Sequence, residues 1–317
     1  MRSEVVSDWL SNSEWATWRR HAMTGDASAR RYERLTNDNG THVILMDAPP
    51  ETCGSQARFV EIAIHLKGID LNPPDILAWD EALGLMILED LGPTDFAQHL
   101  RVHPNEEAHL YEVAVDVLNL LAATPPPKDL TTMTPAIGAD MLDLAFEWAA
   151  QDQSALLEDD IKQEMIDLLS SVSPDPQTLS LRDFHAENLI WRPQNSVSNR
   201  VGLLDFQDAF VTHPTYDLAS LLRDARRDVD PSLVTPMLTR LSGKEDMRAA
   251  FHIHAVQRNL RILGIFERLA RRDAKTGYLE LVPRVRGHLR ADLAAPEMGR
   301  IAPLIEQAFN LGEDTKQ

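Results

Sequence analysis

Two short apolar segments carry polar residues of the types that phosphoryl transfer requires. Asp183 is followed five positions later by Asn188, and Asp205 follows seventeen positions after that. Apolar residues flank each one, as expected of short strands that direct polar side chains into one cleft. A carboxylate can take the proton of an acceptor hydroxyl, and hard oxygen ligands can hold Mg²⁺ against a triphosphate. The spacing predicts Asp183 as the base and Asn188 with Asp205 as Mg²⁺ ligands.

Simpler roles exist for the same residues. An isolated aspartate most often caps a turn, but the combined pattern of Asp183, Asn188 and Asp205 between apolar strands favours the site. His185 is a candidate acid or base, because the pKa of histidine lies near neutrality. Its place within the loop favours a structural histidine that orients the loop.

Composition limits the class of protein. The chain has 317 residues, 44% of them hydrophobic and 25% charged, which allows one large domain or two lobes. A formal charge of −18 disfavours a nucleic-acid binder. The single cysteine, Cys53, can form no internal disulfide. Neither a signal peptide nor an apolar run of about 18 residues is visible, so we expect a cytoplasmic protein without a membrane partner.

The elements change character near residue 90. The first ninety residues predict a helix over 5–22, strands over 31–35 and 41–46, a helix over 56–67, and strands over 76–79 and 85–89. Helices follow over 94–101, 105–123, 139–150, 158–171 and from 217 onward, with extended interruptions at 179–191 and 201–206. This predicts an α+β protein with a small β-rich lobe at 1–90 and a larger helical lobe at 91–317.

Several segments together resemble a known superfamily. Beside 181–191 and 202–208, they are Gly25-Asp26-Ala27-Ser28, Met46-Asp47-Ala48-Pro49-Pro50, Leu88-Glu89-Asp90-Leu91-Gly92, the segment 216–222 and Gln257-Arg258-Asn259. The chain resembles the aminoglycoside phosphotransferase and choline-kinase-like superfamily, relatives of the protein kinases. Within it, the resemblance is closest to the bacterial N-acetylmuramate/N-acetylglucosamine anomeric kinases of cell-wall recycling. The Met-Asp-Ala-Pro-Pro and Gln-Arg-Asn segments are the more specific to that branch.

The resemblance implies a two-lobed protein-kinase-like fold that uses ATP and Mg²⁺ to phosphorylate the anomeric hydroxyl of an amino sugar. It implies that Asp217 braces the catalytic loop and that Asp208 lies beside the acceptor pocket, although Asp208 can equally be an ordinary surface residue. Two segments would bind the nucleotide. They are the phosphate-covering loop of Gly25, Asp26, Ala27 and Ser28, and the interlobe hinge of Leu88, Glu89, Asp90 and Leu91, whose backbone would contact adenine.

The sequence departs from the superfamily on its third strand. The usual lysine that grips the phosphates is absent from residues 41–46. A cation is still required near the triphosphate. Arg30 or Arg31 would supply it, because residues that alternate in a strand place one of the two toward the cleft. The alternative is that both arginines are solvated.

A locally basic region, residues 240–292, contains candidate residues for binding the acceptor substrate. Arg258 and Arg261 would either belong to the charged outer face of a helix or line the acceptor pocket and bind a carboxylate. N-acetylmuramate has such a carboxylate, whereas N-acetylglucosamine does not. An aminoglycoside pocket would instead be lined by carboxylates.

Two other functions stay open. One is an aminoglycoside or other small-alcohol phosphotransferase, and the other is a nucleotide-binding pseudokinase that regulates a partner. The absent lysine favours the pseudokinase, but the intact set of Asp183, Asn188 and Asp205 opposes it. For the kinase we expect a monomer with a small-molecule substrate.

Overall fold

The structure of the protein, a computed structural model, describes residues 1–23, 29–151, 154–195, 199–241 and 247–312. The chain divides into two compact units. The first comprises Met1–Val102 with Glu187–Asp208, and the second comprises His103–Ala186 with Ala209–Gln317. The sequence predicts a division at residue 90. In the structure the first unit extends to Val102 and also includes residues 187–208.

An antiparallel sheet of five strands forms the centre of the first unit. The strands are β1 Arg19–Ala22, β2 Arg31–Thr36, β3 His42–Asp47, β4 Ile76–Asp80 and β5 Leu85–Glu89. Their order is β1-β2-β3-β5-β4. The sheet is accompanied by helices α1 Arg2–Ser11, α2 Pro50–Cys53, α3 Ala57–Gly68 and α4 Phe96–Val102. Apart from β1, these strands and the helices α3 and α4 are those that the sequence patterns predict.

The prediction of one helix over 5–22 is wrong. Helix α1 ends at Ser11, and residues 19–22 pair with β2 as strand β1. Trp15 contributes to the apolar cluster that α1 forms with the sheet and is nearly buried. Its position therefore reflects packing onto the sheet rather than continuation of the helix, and the backbone of the following polar residues is satisfied by pairing across strands.

The two faces of the sheet have different roles. Alternation along β2, β3 and β5 directs Leu35, Leu45 and Ile87 to the face covered by α1, where they join one apolar cluster. The cross-strand register puts a second set on the opposite face. That set is Tyr32, Arg34, Ile44, Met46, Met86 and Leu88.

A hairpin from later in the chain completes the first unit. Its strands are β7 Leu189–Trp191 and β8 Val201–Leu203. The N–H of Trp191 donates to the carbonyl oxygen of Thr94 at 2.9 Å, and Phe206 stacks on Phe59 of α3 with ring centroids 4.7 Å apart. These contacts explain why residues 187–208 belong to the first unit despite their distance in the chain.

The second unit is mainly helical, with one pair of short strands. The strands are β6 Thr178–Ser180 and β9 Phe210–Thr212. The helices are α5 Glu107–Ala123, α6 Pro135–Asp140, α7 Asp143–Trp148, α8 Glu158–Val172, α9 Thr215–Leu222, α10 Val234–Arg240, α11 Arg248–Arg271, α12 Val282–Leu293 and α13 Ala302–Phe309. The helix predicted over 139–150 is two short helices, α6 and α7, and Thr134 caps the first of them.

Helix α11 is the centre of the second unit and packs against α7, α8, α9 and α12. Its apolar residues, including Val256, Leu260 and Leu263, join the main apolar cluster of this unit. Polar residues of the same helix, Gln257, Arg258 and Asn259, are also buried. Within the described ranges, no helix combines the length and apolar character needed to cross a bilayer.

Candidate active site

Asn188 and Asp205 lie at the same end of the β7–β8 hairpin in the first unit. Asn188 directly precedes β7, and Asp205 follows β8 by two residues. The N–H of Leu204 donates to the carbonyl oxygen of Asn188 at 3.0 Å, so the two segments are adjacent. Asp205 is exposed, and Nε2 of Gln207 donates to its Oδ1 at 2.7 Å.

This pair of side chains fits Mg²⁺. A carboxylate and an amide both offer the oxygen ligands that Mg²⁺ prefers, and the ion commonly takes one or two protein ligands beside phosphate oxygens and water. Over the described part of the chain, no group of three or more His, Cys, Asp or Glu residues is arranged to hold a metal ion. A sparse pair such as Asn188 and Asp205 suits an ion that arrives with a nucleotide.

Two residues of the predicted motif have a left-handed backbone. Asp205 has φ 57°, and Arg182, which precedes Asp183, has φ 69°. This conformation costs about 1–2 kcal/mol for a residue such as Arg182, whereas aspartate adopts it more readily. It persists where surrounding contacts enforce it, and such residues cluster at functional sites.

The structure separates Arg30 from Arg31. Burial raises the pKa of Tyr32 to about 12, while Arg30 opposes that shift and hydrogen-bonds the Tyr32 side chain, and Asp205 acts electrostatically on the same group. Arg30 and Asp205 therefore both act on the Tyr32 hydroxyl, Arg30 through a hydrogen bond and Asp205 through its charge. Arg31 is exposed and pairs across the sheet with Asp47, on the face covered by α1.

The predicted adenine-binding segment, residues 88–91, has two buried apolar ends. Leu88 and Leu91 are 5% and 6% exposed. Leu91 packs on Gly202 of β8, where a Cβ atom would lie 2.9 Å from Leu91 Cδ1. A larger residue at Gly202 would therefore require the Leu91 side chain to move.

The two acidic side chains of the same segment are held by arginines. Glu89 accepts from Arg192 at 3.1 Å, and Asp90 accepts from Arg34 at 2.6 Å. Both carboxylates are thereby bound by protein, and the N–H of Glu89 donates to the carbonyl oxygen of Asp75 at 2.8 Å. Contact between the backbone of residues 88–91 and adenine stays a prediction. The sequence patterns did not single out Arg34, although its alternation with Leu35 in β2 could have shown that it lies on the same face as Tyr32.

Asp217 organises the loop that carries Asp183 in the second unit. This residue of α9 is 2% exposed, and its carboxylate accepts from the Ser180 hydroxyl at 2.6 Å and from the N–H groups of Leu181 and Arg182 at 2.7 and 3.0 Å. Burial raises the pKa of Asp217 to about 6, and these hydrogen bonds act in the opposite direction. Asp217 therefore braces the loop immediately before Asp183.

Arg258 contacts Asp183 from the protein interior. Its Nη2 is 3.7 Å from Oδ1 of Asp183, and the Arg258 side chain is 5% exposed whereas that of Asp183 is 42% exposed. The arginine is thus almost completely enclosed, while the carboxylate that it faces is open to solvent. Arg258 was predicted for the acceptor pocket, and the structure brings it to the predicted base.

His185 is a buried histidine of the same loop. Burial lowers the pKa of His185 well below its usual value, and the nearby cations Arg226 and Arg258 act in the same direction. A histidine that remains neutral inside the protein suits the structural role favoured by the sequence. It does not suit an acid that must donate a proton near neutral pH.

The other predicted residues are distributed as follows. Arg261 is half-buried on α11, and Asp208 is exposed at the end of the first unit. Their assignment to the acceptor pocket stays a prediction. The proposed phosphate-covering residues Gly25, Asp26, Ala27 and Ser28 lie outside the described residues.

Comparison with known proteins identifies the family. A sequence profile of the phosphotransferase enzyme family matches residues 20–253, which is more than half of the chain. The chain belongs to this family. It is accordingly a phosphotransferase, and the prediction of an enzyme that phosphorylates a hydroxyl is confirmed.

Proteins similar to this phosphotransferase over most of their length bear one name. The N-acetylmuramate/N-acetylglucosamine kinase of Caulobacter vibrioides is 33% identical, and the match covers 95% of this chain and 94% of that protein. The kinase of the same name from Neisseria meningitidis is 33% identical over 88% of this chain and 86% of that protein. That from Pseudomonas aeruginosa is 32% identical over 89% and 86%.

Solved structures confirm the fold of the phosphotransferase. A choline/ethanolamine kinase family protein from Mesorhizobium loti has a TM-score of 0.67 at 14% identity and covers 97% of this chain and 100% of its own. An ADP-bound aminoglycoside phosphotransferase, APH(2'')-Ib, has a TM-score of 0.63 at 15% identity and covers 91% and 98%. The predicted two-lobed α+β kinase-like fold is therefore confirmed.

Proposed function

We propose that this phosphotransferase transfers the γ-phosphoryl group of ATP to the anomeric hydroxyl of N-acetylmuramate or N-acetylglucosamine. The observation that carries the proposal is the match to kinases of that name over at least 86% of each protein's length. The exposed carboxylate of Asp183, on a loop braced by Asp217, supplies the group that a hydroxyl acceptor requires.

Asp183 acts on the acceptor. Its carboxylate orients the sugar hydroxyl and takes the hydroxyl proton as the oxygen bonds to the γ-phosphorus. The bond between the γ-phosphorus and the bridging oxygen breaks, and ADP leaves with that electron pair. Because little covalent chemistry falls to the protein, positioning and charge account for most of the rate.

Asn188 and Asp205 would hold Mg²⁺, which supplies positive charge against the β- and γ-phosphates. The backbone of residues 88–91 would bind adenine, and ADP- and AMP-bound structural neighbours support an adenine nucleotide as donor. Arg30, rather than Arg31, would provide the cation that replaces the absent lysine, because it hydrogen-bonds the Tyr32 side chain, on which the charge of Asp205 also acts.

The experiment is ATP turnover with Mg²⁺ against N-acetylmuramate, N-acetylglucosamine, an aminoglycoside and choline, with the phosphorylated carbon assigned by NMR. We expect phosphate at the anomeric carbon of the amino sugars. Asp183→Asn should lower kcat by about 10²–10⁴-fold, the contribution typical of a general base. Asp228→Asn is the matched control, since that side chain is 91% exposed in the same unit.

Other outcomes would reassign the acceptor. Transfer to the aminoglycoside or to choline, with none to either sugar, would contradict the proposal and favour the small-alcohol phosphotransferase. ATP binding without turnover on any acceptor would favour the regulatory pseudokinase.

A further inference from the structure

Arg258 is a buried cation close to the loop that carries Asp183 and to the residues that pack against this loop. It lies midway along α11 and is 4% exposed. Its charge acts on His185, Tyr216, Asp217 and Asp224. Its Nη2 is 3.7 Å from Oδ1 of Asp183. One guanidinium therefore balances several carboxylates, of which only Asp183 belongs to the proposed reaction.

The side chains of Arg258 and Asp183 differ strongly in their exposure to solvent. Arg258 approaches the Asp183 carboxylate from within the protein, whereas 42% of the Asp183 side chain remains exposed. A separation of 3.7 Å exceeds a normal hydrogen bond, so the interaction is a charge contact. An acceptor could reach Asp183 without displacing Arg258.

The same burial disfavours a direct contact between Arg258 and a sugar carboxylate. A side chain 5% exposed and directed at Asp183 would have to leave its carboxylate neighbours to bind a ligand. Removing a buried charge from its partners is strongly unfavourable. Arg258 is thus better suited to act through Asp183 than on the substrate.

We propose that Arg258 is a positioning residue that holds the Asp183 carboxylate in the orientation needed to receive the acceptor proton. The proposal rests on the kinase function proposed above. Asp217 restrains the backbone of Leu181 and Arg182, and Arg258 restrains the side chain of the next residue. The backbone that precedes the base and the side chain of the base are therefore held by separate groups.

The test compares wild type, Arg258→Met and Arg258→Lys with N-acetylmuramate and N-acetylglucosamine, measuring kcat, both KM values and the thermal unfolding midpoint. Arg258→Met should lower kcat by about 100-fold, the loss expected from a small displacement of a catalytic group. The loss should be equal on both sugars, with KM for ATP within about twofold of wild type, since only the base is displaced. The kcat of Arg258→Lys should lie between those of wild type and Arg258→Met, because an ammonium restores the charge without the geometry of the guanidinium.

Arg271→Met is the matched control, since Arg271 is on the same helix, is 64% exposed and pairs with Glu267. It should retain the kcat of wild type. If Arg258→Met does not fold, the test rests on Arg258→Lys. A kcat of Arg258→Lys below that of wild type, by equal factors on both sugars, would then support the proposal.

Two results would overturn the positioning role while leaving the kinase function intact. One is a folded Arg258→Met, or a sole surviving Arg258→Lys, with the kcat of wild type. The other is a rise in KM confined to N-acetylmuramate, which would show that Arg258 binds its carboxylate. Failure of the kinase function is distinguished from both, because wild type itself would then turn over neither sugar.

Discussion

Asp217 accepts a hydrogen bond of 2.7 Å from the backbone N–H of Leu181, two residues before the proposed base. The contact joins helix α9 to the loop after β6, and the acceptor is a carboxylate that is almost completely buried. An ionisable group in this position links the order of the catalytic loop to pH.

Asp217→Asn should change the pH dependence of unfolding. The folded pKa of Asp217 is about 6 against an ordinary 3.8, so its protonated form stabilises the fold fully below about pH 3.8. That stabilisation is lost as pH rises through 6, by about 3 kcal/mol in total at 1.36 kcal/mol per pKa unit. In urea unfolding, the free energy of unfolding of wild type should fall by about that amount between pH 4 and pH 7, relative to the change in the variant.

Asp228→Asn provides a control for Asp217. The hydrogen bond with Arg284 holds the pKa of Asp228 below its usual value, so its contribution to the free energy of unfolding is complete above about pH 3.8 and should not fall between pH 4 and pH 7. A difference between wild type and Asp217→Asn that is constant with pH would contradict the assignment.

Arg30→Met should weaken ATP binding more than Arg31→Met. Arg30 hydrogen-bonds Tyr32, on which the charge of Asp205 also acts, whereas Arg31 lies on the face covered by α1. Loss of a hydrogen bond to a charged group is worth about 1.5–3 kcal/mol. KM for ATP should therefore rise about tenfold or more in Arg30→Met. A larger rise in Arg31→Met would transfer the role to Arg31.

Asp205→Asn should raise the Mg²⁺ concentration that gives half-maximal activity. The amide keeps the size of the side chain and its left-handed backbone propensity but removes the negative charge that attracts the ion. A rise of about tenfold or more is expected, on the scale of lost metal-site interactions. Titration with Mg²⁺ after chelation measures it. Asp38→Asn, in the exposed turn between β2 and β3, should titrate as wild type does.

Gly264→Ala should destabilise the second unit. A Cβ at Gly264 would lie 2.2 Å from the carbonyl oxygen of Leu144, so α7 and α11 would have to separate. Overpacking of this kind costs about 1–3 kcal/mol. Gly287→Ala in α12 is the matched control, since a Cβ there has no atom within 4 Å. It should stabilise by about 0.5–1 kcal/mol, and equal effects of the two changes in urea unfolding would refute the close approach.

Sequence patterns alone located most of the elements of this protein and predicted its chemistry. Alternation and helical periodicity located β2 to β5 and the long helices, because those signals depend on near neighbours in the chain. Asp183, Asn188 and Asp205 could be proposed as site residues, because short spacings between apolar strands tie them to adjacent loops. Segments such as Met46-Asp47-Ala48-Pro49-Pro50 indicated the sugar-kinase branch from residue identity alone.

Tertiary structure decided the relationships between residues distant in the chain. The strand at residues 19–22 forms because its backbone pairs with β2, which overrides the helical spacing of the tryptophans. Arg30 and Arg31 are indistinguishable by type, but the register of β2 on β3 places Arg31 opposite Asp47. Arg258 stands 75 positions after Asp183 (258 minus 183), and packing of α11 brings them together. Local patterns report which residues form an element, whereas the partner of a buried charge depends on how elements pack.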